Sequence, residues 1–249
     1  MTATLKNSRS GGALRKAAEQ RRLQPQGEER NVELSSMSVV EETVEAIRGD
    51  IKAGRVAPGQ RLIENEIRTA LGASRPSIRE AMRRLEAEGL VEMEHQKGAR
   101  VRRLTSSDTG HIYQVREALE GTAARLAAEN IDKHNYRKRL QSLEREFKKN
   151  DDGLPSTYHH YNEQFHHLIV EMSENPRLIR MVQQLHHSAF LILIQVVASR
   201  EAEAQAREEH KSIVTAILKG DGPAAERAMR THIRRTGRVL VTRIVSFFG

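Results

Sequence analysis

The stretch Leu71-Gly72-Ala73-Ser74-Arg75-Pro76-Ser77-Ile78-Arg79-Glu80-Ala81-Met82-Arg83-Arg84-Leu85 decides how the first part of this 249-residue chain folds. Gly72 closes one short helix. Ser74 then stands as the N-cap of a longer one, with Pro76 in its first turn, where the missing N–H is not needed. Ile78, Ala81, Met82 and Leu85 recur at three and four residues and form a buried stripe, and Gly89 stops the helix. Arg75, Arg79 and Arg83 are four apart and form a row of their own.

Upstream, Val40, Val44, Ala46, Ile47 and Ile51 predict an amphipathic helix over Val39–Ile51, ended by Gly54 and turned by Ala57-Pro58-Gly59. Arg61-Leu62-Ile63 is a short extended piece. Ile67 and Leu71 face inward on the helix that Gly72 closes. Downstream, strands over Leu90–Glu94 and Ala99–Leu104 join at Lys97-Gly98. Helix, strand, helix, helix and hairpin is the order of a winged helix-turn-helix. On its recognition helix the arginine row can enter a major groove, where Arg pairs bidentately with guanine O6 and N7. Ser74 can give its hydroxyl to a phosphate. Lys97, Arg100, Arg102 and Arg103 would make the wing basic, and Gly98 would let the backbone approach the sugar-phosphate edge. The other reading of the row is a solvated face, with Glu80 pairing Arg83 or Arg84 locally.

Total charge says less than placement. The net +8 divides as +3 over residues 1–37, +2 over 38–104 and +3 over 105–249. Residues 1–37 lack periodicity and read as a disordered basic extension. With no cysteine, disulfides, thiolate-zinc sites and cysteine nucleophiles are excluded. The longest apolar run, Ala189 to Ala198, is broken by Gln195 and falls short of the ~20 residues of a membrane helix. A cytoplasmic protein with no membrane partner is expected.

The runs Pro58-Gly59-Gln60-Arg61-Leu62-Ile63-Glu64, Leu71 to Ala81, and Leu85-Glu86-Ala87-Glu88-Gly89-Leu90-Val91 resemble the DNA-binding domain of GntR-type bacterial regulators over residues 38–104. The resemblance implies DNA contacts for Arg75, Arg79 and Gly98. Pro76-Ser77 stands where the family often has Thr-Pro, and Asn65 where some members carry a DNA-contacting Arg.

Residues 105–249 read as helix almost throughout, near 107–130, 133–149, 155–174, 177–198, 201–219 and 223–247. An antiparallel all-α bundle of about six helices follows, with space for a cofactor between facing helices. Of the eleven histidines, His166, His210 and His232 lie on inward stripes of three helices. They could bind a divalent ion with Asn162, one turn before His166, as a fourth ligand. Equally, each could be a hydrogen-bonded core residue. His95, His111, His134, His159, His160, His167, His186 and His187 read as surface or structural residues.

Asn162-Glu163-Gln164-Phe165-His166, Ser173-Glu174-Asn175-Pro176, Glu209-His210-x-x-Ile213 and Ala228-Met229-x-x-His232 are similar to the FCD domain of the FadR-like branch. The resemblance implies a divalent metal of the Zn, Ni or Mn class at these histidines. Most metal-binding members carry Asp where this chain has Asn162, and a neutral amide is the weaker ligand. Arg116 and Glu120 match the Arg-x-x-x-Glu pattern opening that domain. Arg116 would then grip an effector carboxylate, or else form an intrahelical ion pair with Glu120. The expected protein is a homodimeric regulator, a repressor by resemblance. It would read a near-palindromic double-stranded operator under control of a small carboxylate effector. A direct metal sensor is the alternative, and a metal-dependent hydrolase or hydratase a more distant one.

Overall fold

A computed structural model describes residues 38–52, 54–94, 98–150, 155–195 and 200–248. The expected 1–37 extension and Lys97 lie outside the described residues. The chain divides into two compact units, with the boundary between Arg103 and Leu104.

The first unit runs α1 (Val39–Lys52), β1 (Arg61–Leu62), α2 (Glu64–Leu71), α3 (Arg75–Ala87), β2 (Val91–Glu94) and β3 (Gly98–Val101). The sheet order is β1-β3-β2, antiparallel throughout, with Leu62 opposite Ala99 and Val91 opposite Val101. Val44, Ile47 and Ile51 of α1, Ile67 of α2, and Ile78, Ala81, Met82 and Leu85 of α3 are buried together as its core. Gly72 takes the left-handed C-cap of α2 at φ 67°, and Ser74 caps α3 by accepting the Ser77 N–H. This is the expected winged helix-turn-helix. Its last strand is shorter than the sequence suggested. The strand ends at Val101, with one further bond from the Arg102 N–H to Leu90 O at 2.9 Å, and Leu104 is buried just ahead of the Thr105 cap.

The second unit is helical: α4 (Ser106–Glu129), α5 (Tyr136–Asn150), α6 (Pro155–Met172), α7 (Pro176–Gln195), α8 (Arg200–Leu218) and α9 (Gly222–Phe248). Thr105 and Asp108 form a reciprocal capping box that starts α4. The Asn175 and Asp221 side chains accept backbone N–H groups at the starts of α7 and α9. α9 packs along α4 in antiparallel register, with Gly121 against Arg230 and Gly237 against Tyr113. Their missing Cβ atoms let the two helices approach. Among the described residues no helix is long and apolar enough to cross a membrane.

Candidate functional site

On the first unit, Ser74, Arg75, Arg79 and Arg83 are all exposed along α3. The Ser74 hydroxyl is engaged in the cap and also meets the Ser77 hydroxyl at 2.9 Å. Arg79 points its Nε at Oε1 of Glu64, 3.1 Å away at the start of α2. Glu80 lies 3.6 Å from both Arg83 and Arg84, the local pairing foreseen from spacing. Such exposed pairs contribute little stability, so the row keeps its charge available to a polyanion. Gly98 opens β3 at φ 83°, with only Leu62 O, at 3.9 Å, near the place a Cβ would occupy. Arg100, assigned to the wing from sequence, is turned back onto Glu92 and Glu94 of β2.

On the second unit, the three inward histidines meet. His166 of α6, His210 of α8 and His232 of α9 are each no more than 3% exposed, and one ligand nitrogen from each lies within 4.8 Å of the others. Glu120 of α4 meets His166 Nδ1 at 2.7 Å, and Glu209 meets His232 Nδ1 at 2.8 Å. Each carboxylate also binds an arginine: Arg116 Nε donates to Glu120 at 2.7 Å, and Arg235 Nε donates to Glu209. Two Arg–Glu–His chains therefore converge on the cluster.

The hydrogen bonds set the tautomers. A neutral imidazole that donates from Nδ1 presents a lone pair at Nε2. His166 and His232 are so arranged, and His210 Nε2 lies 3.2 Å from His232 Nε2. The other nitrogen of His210, Nδ1, is buried with no hydrogen-bond partner. Its ring is instead stacked on Phe165, with centroids 4.1 Å apart.

Burial lowers the pKa of His166 to about 4, against the opposing pull of Glu120. It also holds His210 well below the ordinary value, aided by the neighbouring imidazoles, and lowers His232 despite Glu209. The cluster is therefore neutral near pH 7. Burial works against the Arg116 charge, but Glu120 and Tyr113 outweigh it and keep the guanidinium protonated.

Three uncharged imidazoles with two carboxylate-backed nitrogens suit a borderline divalent ion. A metal–nitrogen bond of ~2.1 Å allows ligand nitrogens up to roughly 4.2 Å apart, so small shifts would close the set. Asn162 is half-buried one turn from His166 on α6. Arg116 is the intrahelical partner of Glu120, but as a buried pair rather than an exposed one. Glu120 and Glu209 were not singled out as site residues from sequence. Each sits in a quoted motif, but the histidine it meets is on another helix. The remaining described histidine side chains, at 111, 134, 159, 160 and 167, are exposed or half-buried.

Comparison with known proteins places both units. Residues 39–101 match the family described as bacterial regulatory proteins, gntR family, and residues 111–235 match the FCD domain. The chain belongs to the GntR family. Its relatives include the "Probable D-xylose utilization operon transcriptional repressor" of Paenarthrobacter nicotinovorans, 34% identical and covering 80% of this chain and 88% of that protein. The HTH-type transcriptional repressor RspR of Escherichia coli (strain K12) is 25% identical over 76% of this chain and 82% of its own. Among solved structures, McbR/YncC of E. coli superposes with a TM-score of 0.66 at 21% identity, covering 83% of this chain and 98% of that one. A GntR regulator from Rhodococcus sp. RHA1 gives 0.68, also at 21% identity, over 86% and 100%. The chain is a DNA-binding transcription regulator, and its relatives are named as regulators rather than enzymes.

Proposed function

We propose that this GntR-family protein is a cytoplasmic repressor whose operator affinity is set by a small carboxylate bound at a divalent ion in the helical unit. The observation that carries the reading is the convergence of His166, His210 and His232, buried, neutral and aligned by Glu120 and Glu209. These three imidazoles, with Asn162, would hold the ion. When bound, the ion supplies a Lewis-acidic position that an effector carboxylate can complete. The chain's own part is to keep the nitrogens deprotonated, fix their direction and exclude water.

Two copies would each present α3 to one half-site of a near-palindromic operator, about one DNA turn (~34 Å) apart. Arg75 and Arg79 would read bases, with Ser74, Arg83, Lys97 and Gly98 at the backbone. The effector acts by binding one arrangement of the protein more tightly than the other.

The test begins with chelator-stripped protein reloaded separately with Zn²⁺, Ni²⁺ or Mn²⁺. Thermal shift against a panel of organic acids follows, because a ligand specific to the native state stabilises by mass action. DNA affinity is then measured with and without each stabilising acid. A change in affinity caused by metal alone makes the ion itself the signal. His210→Ala and His232→Ala proteins that retain full metal content would refute the site. For the DNA face, Arg75→Ala and Arg79→Ala should each weaken specific binding by about 1–3 kcal/mol.

A further inference from the structure

The three arginines of the α3 row are not held alike. Among the described residues no carboxylate pairs with Arg75, and Arg83 has Glu80 at 3.6 Å on its own helix. Arg79 alone in the row is held from another helix, by Glu64, whose Oε1 accepts from Nε at 3.1 Å. Both side chains stay open to solvent, 63% and 32% exposed. Glu64 is the first residue of α2, where its charge is also favoured by the helix N-terminus. The bond occupies Nε and leaves the two terminal amino groups of Arg79 clear of Glu64. Those groups form the fork that matches guanine O6 and N7.

We infer that Glu64 is a specificity-determining residue of the DNA-binding face, acting by positioning Arg79. Two effects follow from one contact. Rotamers of a long side chain are restricted before DNA arrives, so a correct base meets a preset fork. The carboxylate also offsets one cation of a row that would otherwise attract any phosphate backbone, so sequence-independent binding is held down. Arg79 therefore contributes through a chosen base more than through charge. This inference rests on the reading of Arg79 as a base-contacting residue, and the experiment separates the two.

The probe is a duplex enriched by the full-length wild-type protein from a random-sequence pool, with each guanine then replaced in turn. Sonicated genomic DNA measures sequence-independent binding. Arg79→Ala should lose preference at one guanine position per half-site, about tenfold or more. An Arg79→Ala protein with unchanged preference overturns the reading of Arg79. Glu64→Gln keeps side-chain size and the helix start, and its melting temperature reports folding. It should bind genomic DNA more tightly, with the log–log salt slope steeper by up to about one charge. At the Arg79-dependent guanine it should lose roughly threefold or more in preference. In an Arg79→Ala background, Glu64→Gln should leave base preference where it was. A folded Glu64→Gln protein with wild-type preference at that guanine, while Arg79→Ala has lost it, overturns the role of Glu64. So does a Glu64→Gln effect of equal size in both backgrounds.

Discussion

Glu120 bridges the interior of the helical unit, accepting from Arg116 through one oxygen and meeting His166 Nδ1 at 2.7 Å through the other. It is fully buried, and Arg116 beside it is only 7% exposed. Such a carboxylate has two roles: neutralising a buried guanidinium, and fixing which nitrogen of His166 faces the cluster. Glu120→Gln keeps the shape and an oxygen that can accept from Arg116 but loses the charge, and it weakens the second role, so metal affinity should fall by about 10- to 100-fold. Glu120→Ala removes the acceptor as well as the charge and should destabilise the protein more, by about 3–5 kcal/mol. Chelator competition and denaturant melts read the two effects. Equal metal affinity in Glu120→Gln and wild type would remove the positioning role.

Acid should destabilise the metal-free protein in a defined window. His166 has its pKa lowered from 6.5 to about 4 by burial, and His210 and His232 shift the same way. Between those values the unfolded chain binds protons that the folded chain does not. The stability contributed by the neutral His166 imidazole is therefore complete above about pH 6.5 and is lost as the pH falls toward 4, and His210 and His232 act in the same direction. Melting temperature of chelator-treated protein should drop steadily over that range. Replacing His166 by Gln should flatten the profile, and an unflattened one would show that His166 is not the group responsible.

The two glycines between α4 and α9 should respond unequally to alanine. A Cβ at Gly237 would come within 2.7 Å of Tyr113 Cβ, next to the backbone, where little can give. At Gly121 the clash is with the Arg230 side chain, whose Cγ would lie 2.6 Å away. A long arginine can swing aside, although its bond to Glu226 is then disturbed. Gly237→Ala should therefore destabilise by about 1–3 kcal/mol, and Gly121→Ala by less, through helix propensity partly offsetting the clash. Urea unfolding of both variants compares them directly; the reverse order would mean that α9 shifts more easily than Arg230 does.

Sequence patterns carried the winged helix because each of its signals is local. Gly72, Ser74 and Pro76 mark the gap between α2 and α3, and the apolar spacing from Ile78 to Leu85 needs no distant partner to be read. The inward stripes likewise put His166, His210 and His232 toward one core. What the stripes could not show was who stands behind the imidazoles. Glu120 is 46 residues from His166, and Glu209 is 23 from His232. The pairings exist only once α4 meets α6 and α8 meets α9. Arg100 lies on the expected hairpin, but its partners show the same limit. Register, not composition, sets it directly opposite Glu92 with Glu94 close by.

Asn162 offers the last test, because one substitution changes the charge of the proposed ion site without changing its shape. The charged groups acting most strongly on the three histidines are Glu120, Glu209, Arg116 and Arg235, two of each sign. They cancel, the imidazoles are neutral, and Asn162 adds no charge. A divalent ion there would keep its full +2 in a buried place, which favours an anionic effector as the remaining ligand. Asn162→Asp supplies one compensating charge within the protein. Metal affinity without any acid should rise on the order of tenfold, and the further stabilisation given by a bound acid should shrink. Chelator competition measures the first quantity and thermal shift the second. Should Asn162→Asp hold metal no more tightly than wild type, Asn162 does not face the ion, and the neutral ligand set reduces to the three histidines alone.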